Sequence, residues 1–339
     1  MRSPVFSVGV PLYKSNRFLH IILDNIESIL SSTSEPIEFI FSDRHCLDDC
    51  VEKLKSILIP HANDERTFKF ISASDEVNWV ENCNLLMRQA KGTYFMWMMH
   101  DDTFSGNYLN QLKLTLDQYP DALLAYSSRL NITDEGLPYD KFILMKPVEF
   151  TEKWSARNRL QMLYESNFGP SFRGLYRIKT VLKNHGTIRQ NYENVLPEIT
   201  WLFGLSALGR IVYSDKTYCV KRHYEGSVQA NWEKTTRHAL SWYFGMIFQI
   251  IYHPSNFIEN LYLFWGISIW IIKRRVEKYS YIPFFSKINY SVKSIFRKSC
   301  GLEKSEILIF PEVHLRDFEK RQERIRFFQS KNNPLIIFE

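Results

Sequence analysis

Residues 78–102, NWVENCNLLMRQAKGTYFMWMMHDD, decide the fold. Trp79 to Ala90 read as a helix, and Gly92 just beyond it is the residue type that ends one. Tyr94 to Met99 are apolar at every position, as in a strand covered on both faces at the centre of a parallel sheet. His100, Asp101 and Asp102 come directly after that strand. Upstream, Val5 to Pro11 form a short β-branched run ending at proline, a buried strand. Phe18 to Leu30 carry Leu19, Ile22, Leu23, Ile26 and Ile29 at helical spacing. Ile37 to Phe41 and Phe68 to Ser72 read as strands. Residues 48–58 read as the helix between them, with Val51, Leu54, Ile57 and Leu58 on one side.

Strand and helix thus alternate up to the central strand, which predicts an α/β, Rossmann-like, mostly parallel sheet flanked by helices. Next come a helix over 107–118, a strand over Ala122–Ser127 and a loop-rich stretch to about 150. From 236 onward, apolar-aromatic helical segments alternate with basic clusters such as Lys273, Arg274, Arg275 and Lys278. The reading therefore divides the chain into an α/β domain, 1–235, and a helical, basic and aromatic region, 236–339.

Ligands of such sheets bind beyond the carboxyl ends of the strands. Pro11 to Tyr13, Ser42 and Asp43, Ser72 to Ser74, and His100 to Asp102 occupy those places. No GxGxxG comes after the first strand and no GxxxxGK[ST] is present, so a phosphate must be held without either glycine loop.

Composition narrows the function. The 339 residues carry 45% hydrophobic and 24% charged residues, ordinary for a folded chain. The net charge of +6 is a mild excess, with basic residues scattered over the first 230 positions, which argues against a nucleic-acid partner. Cys46, Cys50, Cys83, Cys219 and Cys300 have neither disulfide-framework nor zinc spacing and read as reduced thiols. The opening MRSPVFSVGVPLYK lacks the long apolar core of a signal peptide, and the longest apolar run, Leu261 to Ile272, is short of the ~20 residues a spanning helix needs. A cytoplasmic setting is the expectation.

Four residue groups carry chemistry. Asp101 and Asp102, adjacent at a strand's end, suit Mg²⁺ or Mn²⁺ shared with a diphosphate, or else cap a helix. Asp43 suits a base or ribose, or an ordinary turn. Glu198, opening an apolar helix, is either a dipole-favoured N-terminal carboxylate or a general base. His223, in KRHYEGS, is a surface histidine or a ligand for metal or phosphate.

Taken in order, FSVGVPLYKSNRFL, FIFSD, the stretch 78–102, FRGLYR, PEITWLFGLSALGRIVY and RHYEGS resemble the family 2 glycosyltransferases of the GT-A fold over roughly residues 5–230. The resemblance implies an enzyme of bacterial surface-polysaccharide type. It would move a sugar from a nucleotide-diphosphate donor to a saccharide or lipid-linked acceptor, with inversion. It implies that Pro11 and Tyr13 wall the nucleobase, that Asp43 binds base or ribose, and that Asn82 and Asn84 lie beside the nucleotide. Asp101 then binds the diphosphate and, with Asp102 and His223, a Mn²⁺ or Mg²⁺ ion. FRGLYR lines the acceptor side and Glu198 is the base. Two departures stand out. Met99 occupies the place of the family's first metal-motif aspartate, and Pro197-Glu198 leaves one carboxylate where the family has a pair.

Residues 240–300 read either as a helical layer on the catalytic domain or as a peripheral membrane surface for anionic headgroups. Against the enzyme reading stand a non-catalytic nucleotide- or glycan-binding relative and a nucleotidyltransferase. The latter normally shows a glycine-rich stretch that VGVPLYKSN lacks.

Overall fold

Apolar runs become strands here wherever helices cover both faces. The computed structural model describes residues 3–44, 48–74, 76–137, 155–164, 168–227, 235–253 and 255–278, with side chains to 272 in the last of these. In chain order the elements are β1 (Phe6–Leu12), α1 (Leu19–Ser32), β2 (Ile37–Arg44), α2 (Cys50–Leu58), β3 (Arg66–Ala73), α3 (Trp79–Gln89) and β4 (Tyr94–Trp97). Then come β5 (Thr103–Phe104), α4 (Tyr108–Gln118), β6 (Ala122–Ile132), α5 (Ala156–Tyr164), α6 (Phe168–Ser171), β7 (Leu175–Arg177) and α7 (Ile178–Asn184). The last are α8 (Pro197–Leu205), β8 (Arg210–Arg222), α9 (Thr236–Tyr252) and α10 (Phe257–Lys278).

The described strands form one sheet in the order β3-β2-β1-β4-β7-β6-β8-β5. β1 runs parallel to β2 and β4, and β2 to β3. β7 lies antiparallel between β4 and β6, and β6 runs parallel to β8. β4 is central, as its apolar run predicts, but it has a parallel neighbour on one side only. Its composition reports burial on both faces, not the direction of its neighbours. β6 extends to Ile132, past the expected end at Ser127, because β8 is long enough to pair with it across a register shift at Ser127 and Ser128. The loop-rich reading applies only beyond 132, and residues 138–154 lie outside the described ones.

Two apolar clusters cover the faces. One gathers β1, β2, α1, α2 and α4. The other is centred on Trp97, whose indole N–H donates to the Cys83 carbonyl (3.0 Å). Its ring stacks on Phe172 and meets Trp201 and Tyr176 edge-on. α9 and α10 belong to this second cluster through Trp242, Met246, Ile250, Leu263, Ile267 and Trp270. α10 lies so close to α5 that a β-carbon on Gly266 would fall 2.2 Å from a Leu160 methyl. Through residue 272 the helical region is therefore a layer on the α/β body. No described helix is long and apolar enough to cross a membrane. Cys50, Cys83 and Cys219 are buried free thiols, and Cys46 and Cys300 lie outside the described residues.

The AKGTY turn is held from below. Glu38, buried on β2, accepts hydrogen bonds from Ser7 Oγ and from the Lys91 amide (2.6 Å). The Gly92 amide donates to Ser7 Oγ (2.8 Å). A β-carbon on Gly92 would sit 2.7 Å from that oxygen and 2.9 Å from the Ser7 backbone nitrogen, which cannot swing aside. Gly92→Ala is expected to cost roughly 1–3 kcal/mol through overpacking. Urea denaturation reads this directly, and an unchanged midpoint would show that the turn yields freely.

Candidate active site

β4 and β6 both oppose β7, so β1, β2, β3, β4, β6 and β8 all point the same way. Their carboxyl ends share one edge, where the chain's chemistry-bearing residues gather.

At one corner Pro11 pairs with Ser42 and Leu12 with Asp43. Tyr13 is exposed, with the Arg44 guanidinium 4.9 Å from its ring centre. Asp43 Oδ1 is buried without a hydrogen-bond partner. The structure thus brings Pro11, Tyr13 and Asp43 together, with the Tyr13 ring partly exposed. Asn82 and Asn84, expected beside the nucleotide, make hydrogen bonds within the protein. Asn82 Oδ1 accepts from Ser42 Oγ, which ties α3 to the end of β2. Asn84 exchanges a pair of hydrogen bonds with the Ile188 backbone (2.8 and 2.9 Å). Both amides are buried and engaged within the protein, so they position the edge.

Asp101 is partly buried and Asp102 fully so. Asp102 Oδ2 accepts from the Arg173 Nε–H, while Oδ1 has no partner. Asn25 fixes this loop, donating to the Asp102 carbonyl (2.8 Å) and accepting from the Phe104 amide (3.0 Å). Tyr108 holds the other side, donating to the Arg173 carbonyl (3.0 Å). Burial pushes both carboxyls above the ordinary carboxylate value, and Arg173 first among the cations pulls against it. His100 bonds Ser15 Oγ through Nδ1, and burial pushes its imidazole down to about 4, so it stays neutral.

Facing these carboxylates are cations that the sequence reading did not single out. Arg129 lies on β6, Arg173 just after α6, and Lys221 and Arg222 at the end of β8. Burial, then mutual repulsion, pushes Arg129 down to about 10 and Lys221 down to about 7. Arg222 donates through Nη1 to the Asp134 carbonyl (2.5 Å), but its Nε and Nη2 are buried without partners, as is Arg129 Nε. The signal was present: Arg129, Lys221 and Arg222 are ionisable residues inside otherwise buried strands.

Glu198 enters from α8. Leu196 before it takes a left-handed conformation (φ 51°), and Pro197 opens the helix. That entry turns the Glu198 carboxylate inward, where it is only 8% exposed with Oε2 unpartnered. Burial pushes its carboxyl up to about 7, against the pull of its own backbone N–H and of Lys221, Arg173 and Arg129. Those couplings place it near the cations.

His223 bonds Asn131 Oδ1 through Nε2 (3.0 Å), and burial with the adjacent cations pushes it down to about 4. Among the described residues no three His, Cys, Asp or Glu side chains are grouped to hold a metal ion. Asp101, Asp102 and His223 therefore do not make a preassembled three-ligand site. The two carboxylates, with the unpaired Asp102 Oδ1, do fit a hard divalent ion that takes its remaining ligands from phosphate and water.

The sequence profile of glycosyl transferase family 2 matches residues 7–183, more than half of the chain. The chain belongs to glycosyl transferase family 2. It is thus a glycosyltransferase of the nucleotide-sugar-dependent kind, with Glu198, Lys221 and Arg222 beyond the matched segment. Its fold is GT-A-like, as in crystal structures of S. aureus TarS 1-349. One is 11% identical with a TM-score of 0.56 and 82% of this chain and 74% of that one covered. TarS 1-349 in complex with UDP is 14% identical, with a TM-score of 0.57 over 82% and 74% of the two chains. TarS 1-349 in complex with UDP-GlcNAc is 14% identical, with a TM-score of 0.53 over 82% and 73%. No curated protein matches this family 2 glycosyltransferase.

Removing one member of a buried ion pair strands the other charge. Asp102→Ala is expected to lower unfolding free energy by about 3–5 kcal/mol. Adding Arg173→Met should restore most of that loss. Denaturant titration of the single and double variants checks this, and a double variant as unstable as the single one would contradict it.

Proposed function

We propose that this glycosyltransferase moves a sugar from a nucleoside diphosphate donor to a hydroxyl of a saccharide or lipid-linked acceptor, with inversion, in polysaccharide synthesis. The observation that carries the reading is Glu198: a buried carboxylate with a free oxygen, raised toward neutrality, beside clustered cations. Such a group takes a proton from an attacking hydroxyl, and its value lies near the pH at which it works.

The donor's base would lie against Tyr13, with Asp43 accepting from base or ribose. Its diphosphate would meet Arg129, Arg173, Lys221 and Arg222, and the unpaired N–H groups of Arg129 and Arg222 are preorganised for the charge that develops on departure. Arg173 keeps its charge because Asp102 stands behind it. Glu198 would then remove the acceptor proton as the oxygen attacks the anomeric carbon from the face opposite the diphosphate. A Mn²⁺ or Mg²⁺ ion, held by Asp101 and the free oxygen of Asp102 with His223 nearby, would add neutralising charge to the leaving diphosphate. A uridine diphosphate donor is the first to test, since TarS 1-349 of similar fold is known with UDP and UDP-GlcNAc.

The deciding experiment is sugar transfer from UDP-GlcNAc and related donors to saccharide and lipid-linked acceptors, with and without Mn²⁺. The base works deprotonated, so turnover should rise with pH and level off above about 7. Glu198→Gln should lose roughly 10²–10⁴-fold in turnover while still binding donor. Full turnover in that variant would remove Glu198 as the base, and binding of donor without any transfer or hydrolysis by the wild type would favour a non-catalytic relative.

A further inference from the structure

α9 and α10 each bury one face and bare the other. On α9, Trp242, Met246, Gln249 and Ile250 are buried toward the body, while Leu240, Phe244, Phe248, Ile251 and Tyr252 are exposed. On α10, Leu263, Ile267 and Trp270 are buried, while Phe257, Ile258, Leu261, Phe264, Trp265 and Ile272 are exposed. Helical spacing puts each exposed set on one side of its helix. The Tyr243 ring joins the two helices, 6.2 Å from Phe264. Phe244, Ile251, Phe257, Ile258 and Trp265 are each at least 60% exposed. Single exposed apolar residues are ordinary, but a contiguous aromatic surface across two packed helices marks an interaction site.

Charge selects the partner. Arg189 lies at the margin, with its guanidinium 4.4 Å from the Phe248 ring centre and 5.2 Å from that of Tyr252. Residues 236–278 hold Arg237, Lys273, Arg274, Arg275 and Lys278 against Glu259 and Glu277. Apolar side chains with Arg189 at their margin, and with Trp and Tyr among them, in a segment whose sequence is net basic, match the acyl boundary and the phosphates of an anionic leaflet.

We infer that the outer faces of α9 and α10 form a docking surface for an anionic lipid bilayer, with the protein lying on the membrane without spanning it. This does not rest on the catalytic reading, but it bears on it. α9 packs directly on α8, the helix that carries Glu198, and Trp242 donates to the Val195 carbonyl (2.7 Å) just ahead of Leu196. The docking layer therefore adjoins the helix that would face the acceptor.

The test is co-sedimentation of the full chain with vesicles of phosphatidylglycerol and phosphatidylcholine in equal parts, against vesicles of phosphatidylcholine alone. The mixed vesicles should bind at least about tenfold more tightly, with the difference shrinking in high salt. Phe244→Glu with Trp265→Glu should abolish the binding. Both positions are solvent-exposed, so the variant should keep its melting temperature and its donor hydrolysis, which separates a failure of docking from a failure of catalysis. No binding by the wild type, or equal binding by the double variant, would overturn the inference.

Discussion

A buried carboxylate and a buried guanidinium, Asp102 and Arg173, hold the active edge together. Their contact joins the loop after β4 to the segment entering β7, two stretches that meet only because β7 is inserted antiparallel beside β4. Asn25 and Tyr108 brace the pair from helices on the other face of the sheet. Neither charge would survive burial alone. Paired, they keep Arg173 charged in a cavity where burial depresses Arg129 and Lys221.

The remaining groups at the edge are incomplete. Asp43, Asp102, Arg129, Arg222 and Glu198 each keep a buried polar atom without a partner. Buried polar atoms are almost always satisfied, so a concentration of unsatisfied ones at the carboxyl ends of a sheet marks where a polar ligand completes the structure. On the proposed reading the cations would meet the departing diphosphate, and the nearly neutral Glu198 would take the proton. The left-handed turn at Leu196 is the local strain that aims Glu198 into this cavity.

Much of this is legible in the chain. The strands β1 to β4, with α1 to α3, emerge from apolar period and from Gly92 because local pattern and tertiary position agree there. Asp43 and Asp101 are visible as acidic residues at the ends of strands, and Glu198 as the carboxylate that opens a helix. The direction of β7 is not legible, because three residues, Leu175–Arg177, carry no periodicity. The full length of β6 is hidden because its far half is stabilised by β8, some 90 residues away. Asn82 and Asn84 are visible on their helix, but their partners, Ser42 and the Ile188 backbone, come from distant segments and are not legible in the sequence. Arg129, Lys221 and Arg222 are legible only as ionisable residues within apolar strands, and their convergence on the carboxylates depends on the pairing of β6 with β8.

On the proposed reading the carboxyl edge of the sheet receives a diphosphate. Calorimetric titration of the wild type and of Arg129→Met with uridine and with UDP tests it most directly. The diphosphate is expected to raise the wild type's affinity by roughly a hundredfold over the nucleoside, through charge-assisted hydrogen bonds. Arg129→Met is expected to remove most of that gain while leaving uridine binding unchanged. Equal affinities for uridine and UDP, or a gain untouched by Arg129→Met, would contradict it.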